Sequence, residues 1–115
     1  MVRDIKAQKR FTGLCLSAPS NMYFIQTTKD YDKSYIRLLK SGTKDIVFEE
    51  IQYVIDTLAK KEKLDGRYRD HKLQGEYSDY RECHIKSDLL LVYQIHEEQP
   101  VLVLIDIGTH SYLFG

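Results

Sequence analysis

The chain has 115 residues, enough for one small domain with its own core and too few for two ordinary ones. Seventeen basic residues balance seventeen acidic ones, so the zero net charge supplies no general attraction to nucleic acid, and no apolar run approaches the roughly 18 residues of a membrane span. Cys15 and Cys83 lie far apart and outside any C-x-x-C spacing, which points to a reduced, cytoplasmic protein rather than a disulfide scaffold or a zinc site.

Residues 1–21 carry no helical or strand periodicity, and Phe11 to Leu16 is too short and too polar for the core of an export signal. They are expected to be a disordered leader or an over-extended gene start, with the domain running over 22–115. Tyr23 to Thr27 is aromatic and β-branched and predicts a first strand. From Thr28 the period changes: Tyr31, Tyr35, Leu38 and Leu39 recur at helical spacing until Ser41-Gly42 stops them. Thr43 or Asp45 is expected to cap a second helix, whose apolar stripe of Val47, Ile51, Val54, Ile55 and Leu58 runs to about Lys63.

A connection of about a dozen residues follows Asp65-Gly66, long for mere linkage in a small domain, and it contains His71. Three strands come next, Tyr80 to Ile85, Asp88 to His96 and Val101 to Ile107. The joins between them, Lys86-Ser87 and Glu97 to Pro100, are short enough to make neighbours antiparallel. The last strand is almost wholly apolar and should be buried near the middle of the sheet. The order βααβββ predicts an α+β fold, two helices packed on a twisted, mainly antiparallel sheet.

Alternation along Tyr80 to Ile85 places Tyr80, Glu82 and His84 on one face and Arg81, Cys83 and Ile85 on the other. Cys83 is thus expected in the core. His110 stands three residues past the buried last strand, at the rim of the same sheet, where His71 could reach it from its loop. Histidines suit both general-base and general-acid roles. Imidazole's ordinary pKa of about 6.5 populates both forms near neutrality. Taken singly, each of these residues, like Asp88 and Phe114, reads better as a surface histidine, a turn aspartate or an aromatic closing the core, and only their joint occurrence in motif order reverses that.

Residues 22–115 hold 13 basic against 16 acidic residues, so any attraction to a nucleic acid must be local. Lys60 to Lys72 offers it through Lys60, Lys61, Lys63, Arg67, Arg69 and Lys72 against Glu62, Asp65 and Asp70, unless the lysines merely complete a solvated helix end. His96, before Glu97-Glu98, is expected at a solvent-facing strand end. No H-x-x-x-H or H-E-x-x-H spacing occurs, so no metal and no other cofactor is expected.

Four short motifs occur in order: Asp70-His71-Lys72-Leu73-Gln74-Gly75, Tyr80-Arg81-Glu82-Cys83-His84, Asp88, and Gly108 to Gly115. In this arrangement the chain resembles the YafQ-like branch of the RelE/ParE toxin superfamily over roughly Met22 to Gly115. The resemblance implies a type II toxin–antitoxin ribonuclease that cuts ribosome-associated mRNA and is neutralised by an antitoxin, through which the pair could bind operator DNA. It implies catalytic roles for His71, His84, Asp88 and His110, with Glu82 where the pattern more usually has Asp. His84 and His110 form the expected acid/base pair, His71 a third proton-transfer or phosphate group, and Asp88 their orienting carboxylate. Glu82 and Arg81 are expected in support, and Phe114, Lys72 and Arg69 at the RNA, Phe114 by stacking on a base. Two other readings stay open: a non-catalytic, gyrase-inhibiting toxin of the same fold, and an inactive co-repressor partner of an antitoxin.

Overall fold

The computed structural model describes residues 21–115; the expected leader, apart from Asn21, and Cys15 lie outside the described residues. The chain runs β1 (Phe24–Thr27), α1 (Lys29–Lys40), α2 (Asp45–Ala59), β2 (His71–Lys72), β3 (Arg81–Lys86), β4 (Leu89–His96), β5 (Val101–Gly108) and α3 (His110–Phe114). Two 3₁₀ turns, Gly66–Tyr68 and Gly75–Tyr77, flank β2. The five strands form one sheet in the order β1-β5-β4-β3-β2. Only the β1–β5 pair is parallel; β5–β4, β4–β3 and β3–β2 are antiparallel, as the short joins require. The apolar β5 therefore lies inside the sheet, with Leu102, Val103, Leu104, Ile105 and Ile107 all buried.

The first helix begins where the Thr28 hydroxyl accepts from the Tyr31 N–H at 3.0 Å and itself donates to the Ile105 carbonyl at 2.6 Å, so one side chain caps α1 and ties it to β5. Asp30 and Asp32 in the first turn and Arg37 and Lys40 in the last complement the helix dipole. Tyr31 is buried, but Leu39 is 55 % exposed. At about 100° per residue, Leu39 lies about 80° to one side of Tyr31, whereas the buried arc extends to the other side, through Ser34.

The second helix departs from expectation at both ends. Its N-cap is Lys44, whose side chain makes no capping bond, so neither Thr43 nor Asp45 serves. It stops at Ala59 rather than near Lys63 because Lys61 turns into the left-handed region at φ 63°. There the Lys61 N–H bonds to Leu58 O and the Glu62 N–H to Thr57 O, the paired bonds of a Schellman ending with lysine in the usual glycine place. Its stripe packs as predicted: Ile51, Val54, Ile55 and Leu58 join Leu91, Tyr93, Leu102 and Leu104 in the main core. Full burial of each such aliphatic side chain contributes about 1.5–3 kcal/mol.

The opposite face of the sheet carries a smaller cluster, Val92, Val103 and Ile105, with Leu73, Tyr80, Leu113 and Phe114 packed on it. The sheet thus has a thick, helix-covered side and a side that, among the described residues, is covered by the His71 to Tyr80 loop and the C-terminal turn. Ile105 falls at a register shift between β4 and β5, a bulge that re-aims the end of β5. Beyond it, Asp106 accepts from the Ser34 hydroxyl at 2.6 Å, across to α1.

Candidate active site

Strand register places the site residues. Directly opposed residues on neighbouring strands share a face: His71 opposes Glu82 across β2–β3, and Glu82 opposes Val92 across β3–β4. Val92 belongs to the thinly covered face, so His71, Glu82 and, by alternation, His84 lie there too. Cys83 and Ile85 point into the main core as predicted, where burial pushes the Cys83 thiol far above its ordinary pKa and so away from nucleophilic use.

Glu82 is the centre of this group. Its Oε2 lies 3.5 Å from His71 Nε2 and 3.5 Å from His84 Nε2, and its side chain is only 8 % exposed. The two imidazole rings stand 6.2 Å apart. A buried carboxylate between two imidazoles can pair with whichever one carries the extra proton.

His71 is held from behind. Its Nδ1 lies 2.6 Å from the Arg69 carbonyl, an acceptor, so Nδ1 carries hydrogen and Nε2 faces Glu82. Arg69 can present that carbonyl because it caps a 3₁₀ turn in the left-handed conformation, φ 50° and ψ 43°, unusual for a non-glycine residue.

Behind the same strand lies a second polar group that sequence pattern alone does not single out. Tyr93, fully buried, donates its hydroxyl to Asp70 and accepts from Arg81 Nε at 3.2 Å, while Arg81 pairs with Asp70 at 3.3 Å. Burial first, and then the Asp70 hydrogen bond, drive the Tyr93 hydroxyl well above its ordinary pKa. Arg81 thus points away from Glu82 and His84, and holds Asp70, the residue next to His71. It is a positioning residue for the His71 loop.

The C-terminal segment supplies the remaining groups. The Thr109 hydroxyl accepts from the Tyr112 N–H at 3.2 Å and caps the short α3. Within α3, His110 and Phe114 rings are 5.4 Å apart, and Phe114 meets the partly exposed Tyr77 edge-on at 5.4 Å. Tyr112 anchors the turn: its hydroxyl is 3.1 Å from Ser34 Oγ, and the Arg37 guanidinium lies 4.4 Å above its ring. Gly108 is needed for this, since a Cβ there would stand 2.5 Å from the Tyr112 ring. His84 opposes Leu90 and Leu90 opposes Gly108, so α3 starts two strands, about 10 Å, from His84.

The structure therefore gathers His71, Glu82 and His84 into one cluster, and His110, Phe114 and Tyr77 into a second on the C-terminal turn. Asp88 is exposed in the β3–β4 turn, and Lys72 is exposed on the short β2. His96 is exposed at the end of β4, as expected, 3.0 Å from the Gln94 amide oxygen. Among the described residues, no group of three or more His, Cys, Asp or Glu side chains could hold a metal ion. No helix among them is long and apolar enough to cross a membrane.

Residues 23–115 match the family described as the bacterial toxin of type II toxin–antitoxin system, YafQ. The Escherichia coli K12 protein named mRNA interferase toxin YafQ is 30 % identical over 95 residues, covering 79 % of this chain and 99 % of that one. Among solved structures, a metal-bound toxin from Helicobacter pylori matches with a TM-score of 0.74 and 42 % identity, covering 81 % of this chain and all of that one. The toxin in the E. coli DinJ–YafQ toxin–antitoxin complex matches with a TM-score of 0.71 and 27 % identity, over 82 % and 99 % of the two chains.

Proposed function

The chain belongs to the YafQ family of bacterial type II toxin–antitoxin toxins, and from that premise we propose that it is an endoribonuclease that cleaves mRNA by histidine acid/base catalysis without a metal ion. The relative named an mRNA interferase supports the activity. The single observation that carries the mechanism is the placement of two imidazole Nε2 atoms, from His71 and His84, each 3.5 Å from one Glu82 oxygen.

In this reading one histidine takes the proton from a 2′-hydroxyl, which attacks the adjacent phosphorus. A second gives a proton to the departing 5′ oxygen. Each transfer contributes about 10²–10⁴ in rate. His84 and His110 are the acid/base pair, one on β3 and the other just past the end of β5, two strands apart in the sheet. Glu82 stabilises the imidazolium form of His84 or His71, and His71 serves as the third proton-transfer or phosphate-binding group. Asp88 orients the pair from the β3–β4 turn. Arg69 and Lys72 hold phosphate, and Phe114, with Tyr77 at its edge, offers an aromatic surface to an unpaired base. The cell context follows the family: action in the cytoplasm on ribosome-associated message, and neutralisation by a cognate antitoxin that carries the pair to operator DNA.

The balance of the reaction fixes its products: a 2′,3′-cyclic phosphate and a 5′-hydroxyl. End-group analysis of cut RNA in excess chelator tests this. Cyclic phosphate ends at an undiminished rate are expected; 3′-hydroxyl ends, or complete loss of cutting, would replace the acid/base reading with a metal-activated water.

A further inference from the structure

Between the Gly66–Tyr68 turn and the free edge of β3 lies a cavity of about 510 Å³, beyond the point where β2 stops covering that edge. Its wall includes Arg67, Arg69, Lys86 and Ser87, and His84 closes the end towards the cluster described above. One carboxylate, Glu50, also faces it. Three cations against one anion is a local surplus on a chain whose overall charge is zero. Among the described residues no carboxylate pairs with Arg69 or Lys86. Arg67 is in a different position: its guanidinium lies 4.6 Å above the Tyr68 ring, bonds the Tyr68 hydroxyl at 2.6 Å and meets Glu50 at 3.3 Å. It is thereby pre-positioned on a buried aromatic platform, and about two-thirds of its side chain remains open to solvent.

We propose that this cavity is a subsite for the phosphodiester flanking the scissile one, with Arg69, Lys86 and Arg67 as its cationic contacts and the Ser87 hydroxyl as a neutral donor. The proposal rests on the ribonuclease reading above and adds to it the path of the strand: from the His71–Glu82–His84 triangle over His84 and along the free edge of β3. Charge-assisted hydrogen bonds from arginine forks and a lysine are the usual means of holding a phosphate. A pocket that shares His84 with the acid/base group is placed to align the neighbouring bond. Such contacts position the strand and carry no base preference. Glu50 opposes the ligand, and its function here is to hold Arg67 and Tyr68 in place.

The test is an NMR titration of the full chain with a fully 2′-O-methylated RNA oligonucleotide of mixed sequence, which binds but has no 2′-hydroxyl to react. Amide shifts are expected at Arg69, Ile85, Lys86 and Ser87. Arg69→Gln and Lys86→Gln should each weaken binding about tenfold, as for one lost charge-assisted contact. Each should also reduce the slope of log affinity against log salt by about 0.7. Glu50→Gln, which keeps an acceptor for Tyr68 and removes the negative charge, should strengthen binding; a merely structural role would not produce that gain. Shifts confined to the histidine triangle, with affinity and salt slope unchanged in Arg69→Gln and Lys86→Gln, would overturn the subsite, as would no binding at all. If the subsite behaves as expected but the parent leaves the matching 2′-hydroxyl RNA and ribosome-bound message uncut, the ribonuclease reading fails and the phosphate site stands.

Discussion

Strand β3 carries two polar groups on its two faces, and they are built differently. On the helix side, Arg81, Asp70 and Tyr93 satisfy one another with direct hydrogen bonds around a fully buried tyrosine. On the open side, the Nε2 atoms of His71 and His84 each stand 3.5 Å from the Glu82 carboxylate. The first arrangement ties the loop before His71 to a buried tyrosine on β4. The second is loose by hydrogen-bond standards, and its remaining capacity is available to a substrate. Residues one apart in sequence thus fall into two differently built polar groups by strand alternation alone.

The comparison can be broken most severely on the open side. His110→Ala should lower turnover by about 10² or more while costing roughly 0.5 kcal/mol or less of stability, because the residue is exposed on a short terminal turn. Growth arrest on induction, read beside a melting curve, checks both halves. On the packed side the pattern should invert. Arg81→Met leaves Asp70 and Tyr93 short of a partner and should cost about 1–3 kcal/mol by denaturant titration. Cleavage per folded molecule should stay within about tenfold, since only the aim of His71 is disturbed.

A subtler effect separates the two ends of the sheet. Burial raises the Asp106 carboxyl above its ordinary value, with the Ser34 hydroxyl and the Ile107 N–H pulling the other way. The folded state therefore holds this proton more tightly than the unfolded chain does. That contribution is complete below the ordinary carboxylate pKa of about 3.9 and is lost as the pH rises through the higher folded value. Asp106→Asn, which still accepts from Ser34, should melt above the parent at pH 7 and close to it at pH 3. A constant difference between the two pH values would remove the carboxyl as the cause. Least of all should happen on shortening the chain to residues 22–115: we propose that the leader is dispensable, so melting and toxicity should match the parent, and a clear fall in melting temperature would refute it.

Much of this division is legible in the order of the amino acids. Alternation puts Glu82 and His84 opposite Cys83 and Ile85, and the apolar run Val101 to Ile107 puts β5 inside the sheet. The features that escape such reasoning have local causes. A two-residue strand such as β2 has no period of its own; it exists because Arg81 and Glu82 offer it a free edge. The five residues of α3 are also too few for a helical pattern, although Thr109 three residues before Tyr112 is a capping signal that could reveal it. The end of α2 is hidden because Lys61 does what glycine ordinarily does. Asp70 reads as part of a loop motif, and its partner Tyr93 lies 23 residues away on β4, a pairing that only the folded register creates.

The most direct measurement is to compare His84→Ala with Arg81→Met in one experiment, recording mRNA cleavage and thermal unfolding for each. A crossing is expected: His84→Ala loses cleavage by about 10² or more and less melting temperature than Arg81→Met, whereas Arg81→Met loses more melting temperature and keeps most cleavage per folded molecule. If His84→Ala remains as toxic and as active as the parent, the histidine cluster is not the catalytic group, and a non-catalytic toxin of the same fold becomes the better description.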